Sequence, residues 1–303
     1  MKPPRIAFRF LPTLIFVFGC FQGRGQASDT QHLIQKIQEE FATNQGTFAL
    51  AWRDASTSEQ ILIHEHESFH AASTMKTPVM IEVYKQAAAR RFTLSDSIVI
   101  KNEFKSIVDG SPFQLSVEDD SEQEYYKIIG QKRPLYDIMY QMIIASSNLA
   151  TNLIIEKVDA RNVTHTMQSL GAGDIVVLRG VEDSKAFAKG LNNTVTAFDL
   201  MILFDQMARG VMIDKPTSEK MIAILRDQKF NEIIPAQLPA GVTVAHKTGS
   251  IRGVQHDSGI VILPDGKRYS LVILSKNLKD EPAAIRSMAA VSRMIYDYVQ
   301  RKN

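Results

Sequence analysis

Residues 31–42 (QHLIQKIQEEFA) place Leu33, Ile34, Ile37 and Phe41 on one helical face. TFALAWRD (47–54) and ILIHE (61–65) then read as a pair of strands. A helix is predicted from Ser73 to about Arg90, and helical spacing returns over 134–145, 148–158, 164–169, 196–209 and 217–227. Between these, residues 104–132 read as loop, and their acidic run VEDDSEQE (117–124) reads as solvated surface. The period then changes. TVAHKTG (243–249), GIVILP (259–264) and KRYSLVILS (267–275) are strand candidates, the last two joined around an Asp265-Gly266 turn, and a final helix is predicted over 283–299.

Strands at both ends enclosing a helical middle predict one sheet built from both termini, with an all-helical subdomain inserted between them. No strand–helix–strand repetition supports a Rossmann or barrel topology. No Gly/Ser-rich or Pro-rich linker divides residues 31–303. Residues 28–303 are therefore expected to form a single domain, with an α/β part at about 31–80 and 230–303 and a helical part at about 81–229.

The 303 residues are 45% apolar and 22% charged, which excludes a wholly disordered, collagenous or polytopic membrane chain. A net charge of +2 gives no mandate for nucleic acid as a partner. Lys2, Arg5 and Arg9 precede an apolar run, FLPTLIFVFG (10–19), that is too short to span a bilayer and has the shape of a secretory signal peptide. Two processing points are open. One follows Ala27, where Gly25 and Ala27 are the small residues; the other precedes Cys20, where VFGC resembles a bacterial lipoprotein box and Cys20 would carry a lipid anchor. Removing residues 1–27 takes four basic and no acidic residues, leaving a mature chain of about −2 without cysteine, which suits an oxidising compartment. The expected location is outside the cytoplasm: periplasmic, or a membrane-anchored lipoprotein of a bacterium.

Candidate chemistry begins in HAASTMKTPVM (70–80), where Ser73 and Lys76 lie one helical turn apart. A serine hydroxyl becomes a nucleophile when a base accepts its proton, and a lysine made neutral by burial or nearby positive charge can be that base. A Ser-x-x-Lys match alone fits a capping serine beside a surface lysine equally well. His64, His66 and His70 share no helical face, and no metal site is expected from them. Two further motifs follow: Ser146-Ser147-Asn148 between two apolar helical runs, and Lys247-Thr248-Gly249-Ser250 on a late strand.

The ordered set Ser-x-x-Lys, Ser-x-Asn and Lys-Thr-Gly resembles the serine β-lactamase and penicillin-binding family, most closely class A β-lactamases, over about residues 30–300. The resemblance implies an α/β fold with an antiparallel sheet of about five strands flanked by helices. It implies that Ser73 attacks an acyl carbon, that Lys76 is a candidate acylation base and that Ser146 relays the proton to the leaving nitrogen. It implies that Lys247 adds positive charge opposite Ser146, that Asn148 holds the substrate amide and contacts Lys76, and that Thr248, Gly249 and Ser250 bind substrate. The oxyanion hole would use the N–H groups of Ser73 and Ser250. The family's usual middle Asp is Ser147 here, which bears on helix support more than on chemistry. No cofactor and no metal is implied. The partner would be a small β-lactam or a peptidoglycan-like substrate, and the chain is expected to be a monomer.

Glu182, 34 residues after Asn148 in LRGVEDSKAFAKGLNN (178–193), is the expected deacylation base, with Asp183 as a rival and an ion pair with Arg179 or Lys185 as the plain alternative. The family's Pro-x-Leu-Asn after this glutamate is absent, and Ala186 cannot hold a water by side chain. Asn192 or Asn193 could supply the missing amide. Asp257-Ser258-Gly259 stands where many class A enzymes have an Arg for the substrate carboxylate, with Arg252 and Lys276 as possible substitutes. The leading expectation is an exported serine β-lactamase. The alternatives are a D,D-carboxypeptidase or transpeptidase-like hydrolase acting on peptidoglycan-type substrates, and a non-hydrolytic β-lactam-binding protein.

Overall fold

The computed structural model describes Met1 and residues 22–302. Helix α1 (Gln22–Ala42) leads into strands β1 (Thr47–Asp54) and β2 (Gln60–Ile63). A turn of 3-10 helix, Ala72–Met75, runs straight into α2 (Lys76–Ala88). There follow α3 (Leu135–Ile144), α4 (Asn148–Val158), α5 (Ala160–Ser169), α6 (Ser184–Ala188), α7 (Ala197–Ala208) and α8 (Lys215–Arg226). The chain returns through β3 (Thr243–Ile251), β4 (Val254–Ile262), β5 (Arg268–Lys276) and α9 (Glu281–Lys302).

These strands form one antiparallel sheet in the order β2-β1-β5-β4-β3. Pairing of β1 with β5, from Thr47 opposite Lys276 to Asp54 opposite Tyr269, joins the N-terminal hairpin to the C-terminal meander. The architecture is thus the expected one: a sheet built from both termini, flanked by helices, with a helical subdomain inserted. Successive strand side chains point to opposite faces. Phe48, Leu50 and Trp52 of β1 join Leu271 and Ile273 of β5 in a core closed by Ile37 and Phe41 of α1 and Met288 and Ile295 of α9. Ala49, Ala51, Val272 and Leu274 belong to the second core, shared with α7 and the helical half. Both faces are covered, so these strands read as nearly continuous apolar runs.

Helix α2 lies inside the helical half, and every residue from Lys76 to Tyr84 is buried. The turn in front of it packs against β3, the edge strand opposite β2. That junction, together with the bend between α3 and α4, positions the site.

Several boundaries differ from the sequence pattern. The predicted helix from Ser73 is a 3-10 turn followed by α2, α1 is already helical at Gln22, and α5 starts at Ala160. β4 begins at Val254 and not near Gly259, because Gln255, His256, Asp257 and Ser258 are polar yet buried, their polar groups satisfied inside the protein. Residues 104–132 hold a short pairing of Phe104–Lys105 with Pro112–Phe113 and a 3-10 helix, Glu124–Ile128. The acidic run is not all solvated surface: Asp120 is buried. Among the described residues no helix is long and apolar enough to cross a membrane. The apolar run of the expected leader (10–19) and Cys20 lie outside the described residues.

Candidate active site

Ser73 sits on the 3-10 turn, entered through Ala72 at a φ of +44°. That left-handed backbone costs an L-residue about 1–2 kcal/mol. The turn is held by the Ala72 N–H donating to His70 Nδ1 (3.0 Å) and the Thr74 hydroxyl donating to the Ala71 carbonyl (2.6 Å). Its neighbours are buried while Ser73 stays partly exposed. Ser73 borders two cavities, of about 380 and 500 Å³, and Asn148 and Ser250 border both as well.

Lys76 opens α2 and is fully buried. Its Nζ donates to the Ser146 carbonyl (2.7 Å), the Ser146 hydroxyl (3.1 Å) and Asn148 Oδ1 (3.1 Å), which matches its three N–H donors. Burial pulls its pKa down to about 7, against the opposing charges of Asp120 and Glu182. Ser146 occupies the bend between α3 and α4 with a φ of +55°. Lys247, on β3 and also fully buried, donates to the same Ser146 hydroxyl (3.1 Å) and to the Thr248 carbonyl (2.9 Å). Burial, reinforced by the charge of Lys76, pushes Lys247 well below the usual lysine range.

Asn148 bridges the two halves of the site. Its Oδ1 accepts from Lys76, and its Nδ2 donates to Glu182 Oε1 at 2.7 Å. Glu182 Oε2 accepts from the Ser116 N–H at 3.2 Å. Burial raises the Glu182 carboxyl above its ordinary range; the hydrogen bonds from Ser116 and Asn148 oppose the rise, and the Asp120 and Asp119 charges add to it. The loop is held on either side of Val181 by Asn152, whose Oδ1 accepts from the Val181 N–H (2.6 Å) and whose Nδ2 donates to the Val181 carbonyl (3.0 Å). A Cβ at Gly180 would lie 2.0 Å from Asn152 Oδ1, so this close approach requires glycine.

Asp183 is differently engaged. It caps α6 and is buried, with Oδ1 accepting from the Ala186 N–H (3.0 Å) and the Ser106 hydroxyl (2.9 Å) and Oδ2 accepting from the Ile107 N–H (2.9 Å). Burial alone would raise its carboxyl, but those hydrogen bonds and the Arg179 charge outweigh it and leave the pKa below the ordinary value. Neither cation considered for Glu182 pairs with it. Arg179 donates to the Leu191 and Gly180 carbonyls and to Asn192 Oδ1, while Lys185 pairs with Asp109 at 2.8 Å. Asn192 is thereby committed to Arg179. Asn193 accepts from the Leu178 and Arg179 N–H groups and donates to the Arg179 carbonyl and Met75 Sδ, so neither amide is directed at Glu182. Ala186 is buried.

Along β3, Thr248 and Ser250 border the smaller cavity with Ser73, Ser146 and Asn148. A Cβ at Gly249 would lie 3.1 Å from the backbone nitrogens of both Ser73 and Thr74, so the missing side chain lets the strand lie against the Ser73 turn. The Ser250 hydroxyl accepts from Gln255 Nε2 at 2.9 Å, and the same amide donates to Glu281 Oε2 at 2.7 Å. Asp257 is buried, paired with His246 Nδ1 at 2.8 Å. Lys276 is held by Glu67 (2.8 Å) and the Ser68 carbonyl (2.9 Å), whereas Arg252 borders the larger cavity beside Ser73 and Ser250. Among the described residues no group of three or more His, Cys, Asp or Glu side chains could hold a metal ion.

Asn152, Asp120, Ser116 and Gln255 are at the site without having been singled out by sequence. Only Asn152 carried a usable signal: it lies four residues after Asn148, on the same face of one helix.

Solved structures share this fold over nearly the whole chain. A β-lactamase from Sphaerobacter thermophilus superposes with a TM-score of 0.73 at 24% identity, covering 88% of this chain and 95% of that one. A mutant of PBP-A, solved as an acyl-enzyme complex with penicillin G, gives 0.75 at 26% identity, covering 89% and 97%. A β-lactamase of Bacteroides uniformis is 22% identical over 313 residues, covering 94% of this chain and 97% of its own length. Fold and relatives together define a serine hydrolase of the β-lactamase and penicillin-binding superfamily. The model of the Beta-lactamase enzyme family matches residues 32–299, and the chain belongs to that family.

Proposed function

We propose that the protein is a serine β-lactamase working through a Ser73 acyl-enzyme. The observation that carries this reading is the unbroken hydrogen-bond chain from Lys247 through Ser146, Lys76 and Asn148 to Glu182, beside a partly exposed Ser73. In acylation the Ser73 oxygen bonds to the lactam carbonyl carbon and its proton passes to the neutral Lys76 amine. The carbon–nitrogen bond then breaks as the Ser146 hydroxyl delivers its proton to the departing nitrogen and takes one back from the Lys76 ammonium. The N–H groups of Ser73 and Ser250 receive the developing oxyanion. Thr248 and Ser250, next to the Lys247 charge, take the substrate carboxylate, and Gly249 keeps the strand against the nucleophile.

In deacylation, Glu182 takes a proton from water as the water oxygen attacks the ester carbon, and it gives that proton back to the Ser73 oxygen as the ester bond breaks. Glu182 is favoured over Asp183 because it is partly exposed and joined through Asn148 to Lys76, whereas Asp183 is buried and committed to the α6 cap, Ser106 and Ile107. The likeness to PBP-A supports the second reading, a peptidoglycan-directed D,D-peptidase or a non-hydrolytic binder, in which the acyl-enzyme persists. The leader read from the sequence places the reaction outside the cytoplasm. Mass measurement of the mature N-terminus separates release at Ser28 from a diacylated Cys20.

The test is a mass-resolved time course with a panel of β-lactams, on the native protein and on Ser73→Ala. A β-lactamase shows a transient adduct on Ser73 and accumulating hydrolysed product. Stable adduct without product favours the second reading, and labelling of Ser73→Ala at another residue removes Ser73 from the role.

A further inference from the structure

The acidic run at 117–124 reaches into the site. Asp120 is 3% exposed. Its Oδ2 accepts from the backbone N–H groups of Asn148 (2.9 Å) and Leu149 (2.8 Å) and from the Tyr126 hydroxyl (3.0 Å), with the Ser147 hydroxyl at 3.4 Å. Its Oδ1 accepts from the Glu122 N–H at 3.1 Å. The two helix donors are the first of α4, which have no partner within the helix and where the helix dipole favours negative charge. Fixing them fixes Asn148, the residue whose side chain joins Lys76 to Glu182. Next to Asp120, the Ser121 hydroxyl donates to the Ala145 carbonyl at 2.7 Å, so the same segment also grips the residue before Ser146.

We propose that Asp120 is a positioning residue for acylation, holding the start of α4 against Lys76 and placing a buried negative charge behind it. This rests on the reading of Lys76 as the acylation base. The charged groups facing Lys76 are Asp120 from the 117–124 segment, Glu182 from its loop and Lys247 from β3, and Tyr126 faces Asp120. The two carboxylates favour the protonated amine and Lys247 opposes them. Asp120 stands in for an acid that the Ser146-Ser147-Asn148 triplet lacks. The Ser147 hydroxyl is already 3.4 Å from Asp120 Oδ2, so a carboxylate rooted at 147 would reach the same donors.

The experiment measures the second-order rate of Ser73 labelling by a fluorescent penicillin across pH. Asp120→Asn keeps the shape and removes the charge. The acid limb of its profile moves to lower pH by about one unit, and its plateau falls about tenfold or more because both α4 donors lose their charged acceptor. Adding Ser147→Asp in the same chain returns the limb. An unmoved limb in folded Asp120→Asn, or a limb that Ser147→Asp fails to return, overturns the proposal and leaves the Ser73 reading intact. Should Asp120→Asn not fold, Asp120→Glu gives the readout: it keeps the charge and displaces it, so the limb stays while the plateau falls, and an unchanged plateau overturns the proposal. Absence of labelling at Ser73 in the native protein overturns both.

Discussion

Lys76 and Lys247 donate to one oxygen, each with its Nζ 3.1 Å from the Ser146 hydroxyl. Both lysines are fully buried, and each positive charge disfavours the other. The pair therefore releases a proton more readily than two separate lysines, which leaves one amine neutral near pH 7. Since the Ser146 oxygen accepts from both lysine nitrogens, its own hydrogen is free to point into the cavity that it shares with Ser73. A neutral amine on one side and an outward hydroxyl proton on the other are what the proposed acylation requires of its proton relay.

The first prediction is a pH profile. Lys76 titrates at about 7 in the folded protein, and only its neutral form can accept the Ser73 proton. Below that value the amine is protonated, and labelling should slow by about tenfold per pH unit. Above it the rate should level off. Labelling by a fluorescent penicillin, measured from about pH 5 to about pH 9, should be half-maximal near 7. A profile that stays flat to the acid end would take the base role from Lys76.

Replacing Glu182 by Gln should separate the two half-reactions. The amide has one acceptor oxygen where the carboxylate has two, so it can accept from Asn148 or from the Ser116 N–H while Asn152 still holds the loop at Val181, but it cannot accept a proton from water. Acylation should remain within a few-fold of native. Release should slow by about a hundredfold or more, the usual scale for losing a general base. Intact-protein mass spectra should show the adduct accumulating. Rapid clearance would move the base role to another group.

The layout of strands and helices was legible because the sheet and the helical half bury regular apolar patterns, as in β1 and α2. What the pattern missed was polar and buried. β4 was read from Gly259 because Gln255–Ser258 look like a loop, yet each spends its polar groups on interior partners such as Glu281, His70, His246 and the Lys247 carbonyl. Asp120 was read as surface for the same reason: in an acidic run, nothing local separates the carboxylate that caps α4 from those that face water. The three motifs were legible as types in order. Their convergence on Ser146 was not, since it depends on bends at Ala72 and Ser146 where non-glycine residues adopt positive φ, which no propensity favours.

Gly249→Ala tests the contact between β3 and the nucleophile turn. The added methyl would lie 3.1 Å from two backbone nitrogens, and backbone at a junction of sheet and helix cannot move aside as a long side chain can. The expected cost is about 1–3 kcal/mol of stability from overpacking. Labelling at Ser73 should fall further than a loss of folded protein explains, because the strand that brings Thr248 and Ser250 to the substrate is displaced. Thermal melts alongside labelling rates on the folded fraction check this. Native labelling in G249A would mean that the strand does not need to lie so close.

Asp183 gives the last prediction, because it separates holding the loop from doing chemistry. It caps α6 and ties the Glu182 loop to Ser106 and Ile107 of the preceding hairpin. Asp183→Ala removes a helix cap, worth about 1 kcal/mol, and strands the Ile107 and Ala186 N–H donors. The loop carrying Glu182 should loosen, while Ser73, Lys76, Ser146 and Lys247, which it does not touch, keep their arrangement. Deacylation should therefore slow while acylation changes little, as in Glu182→Gln but less severely. The variant with Ser106→Ala should be little worse than Asp183→Ala alone, since the two side chains share one hydrogen bond. If Asp183 were instead the base, its loss would slow release by about a hundredfold or more, and Ser106→Ala, which removes one of the two donors to its Oδ1, would not slow release.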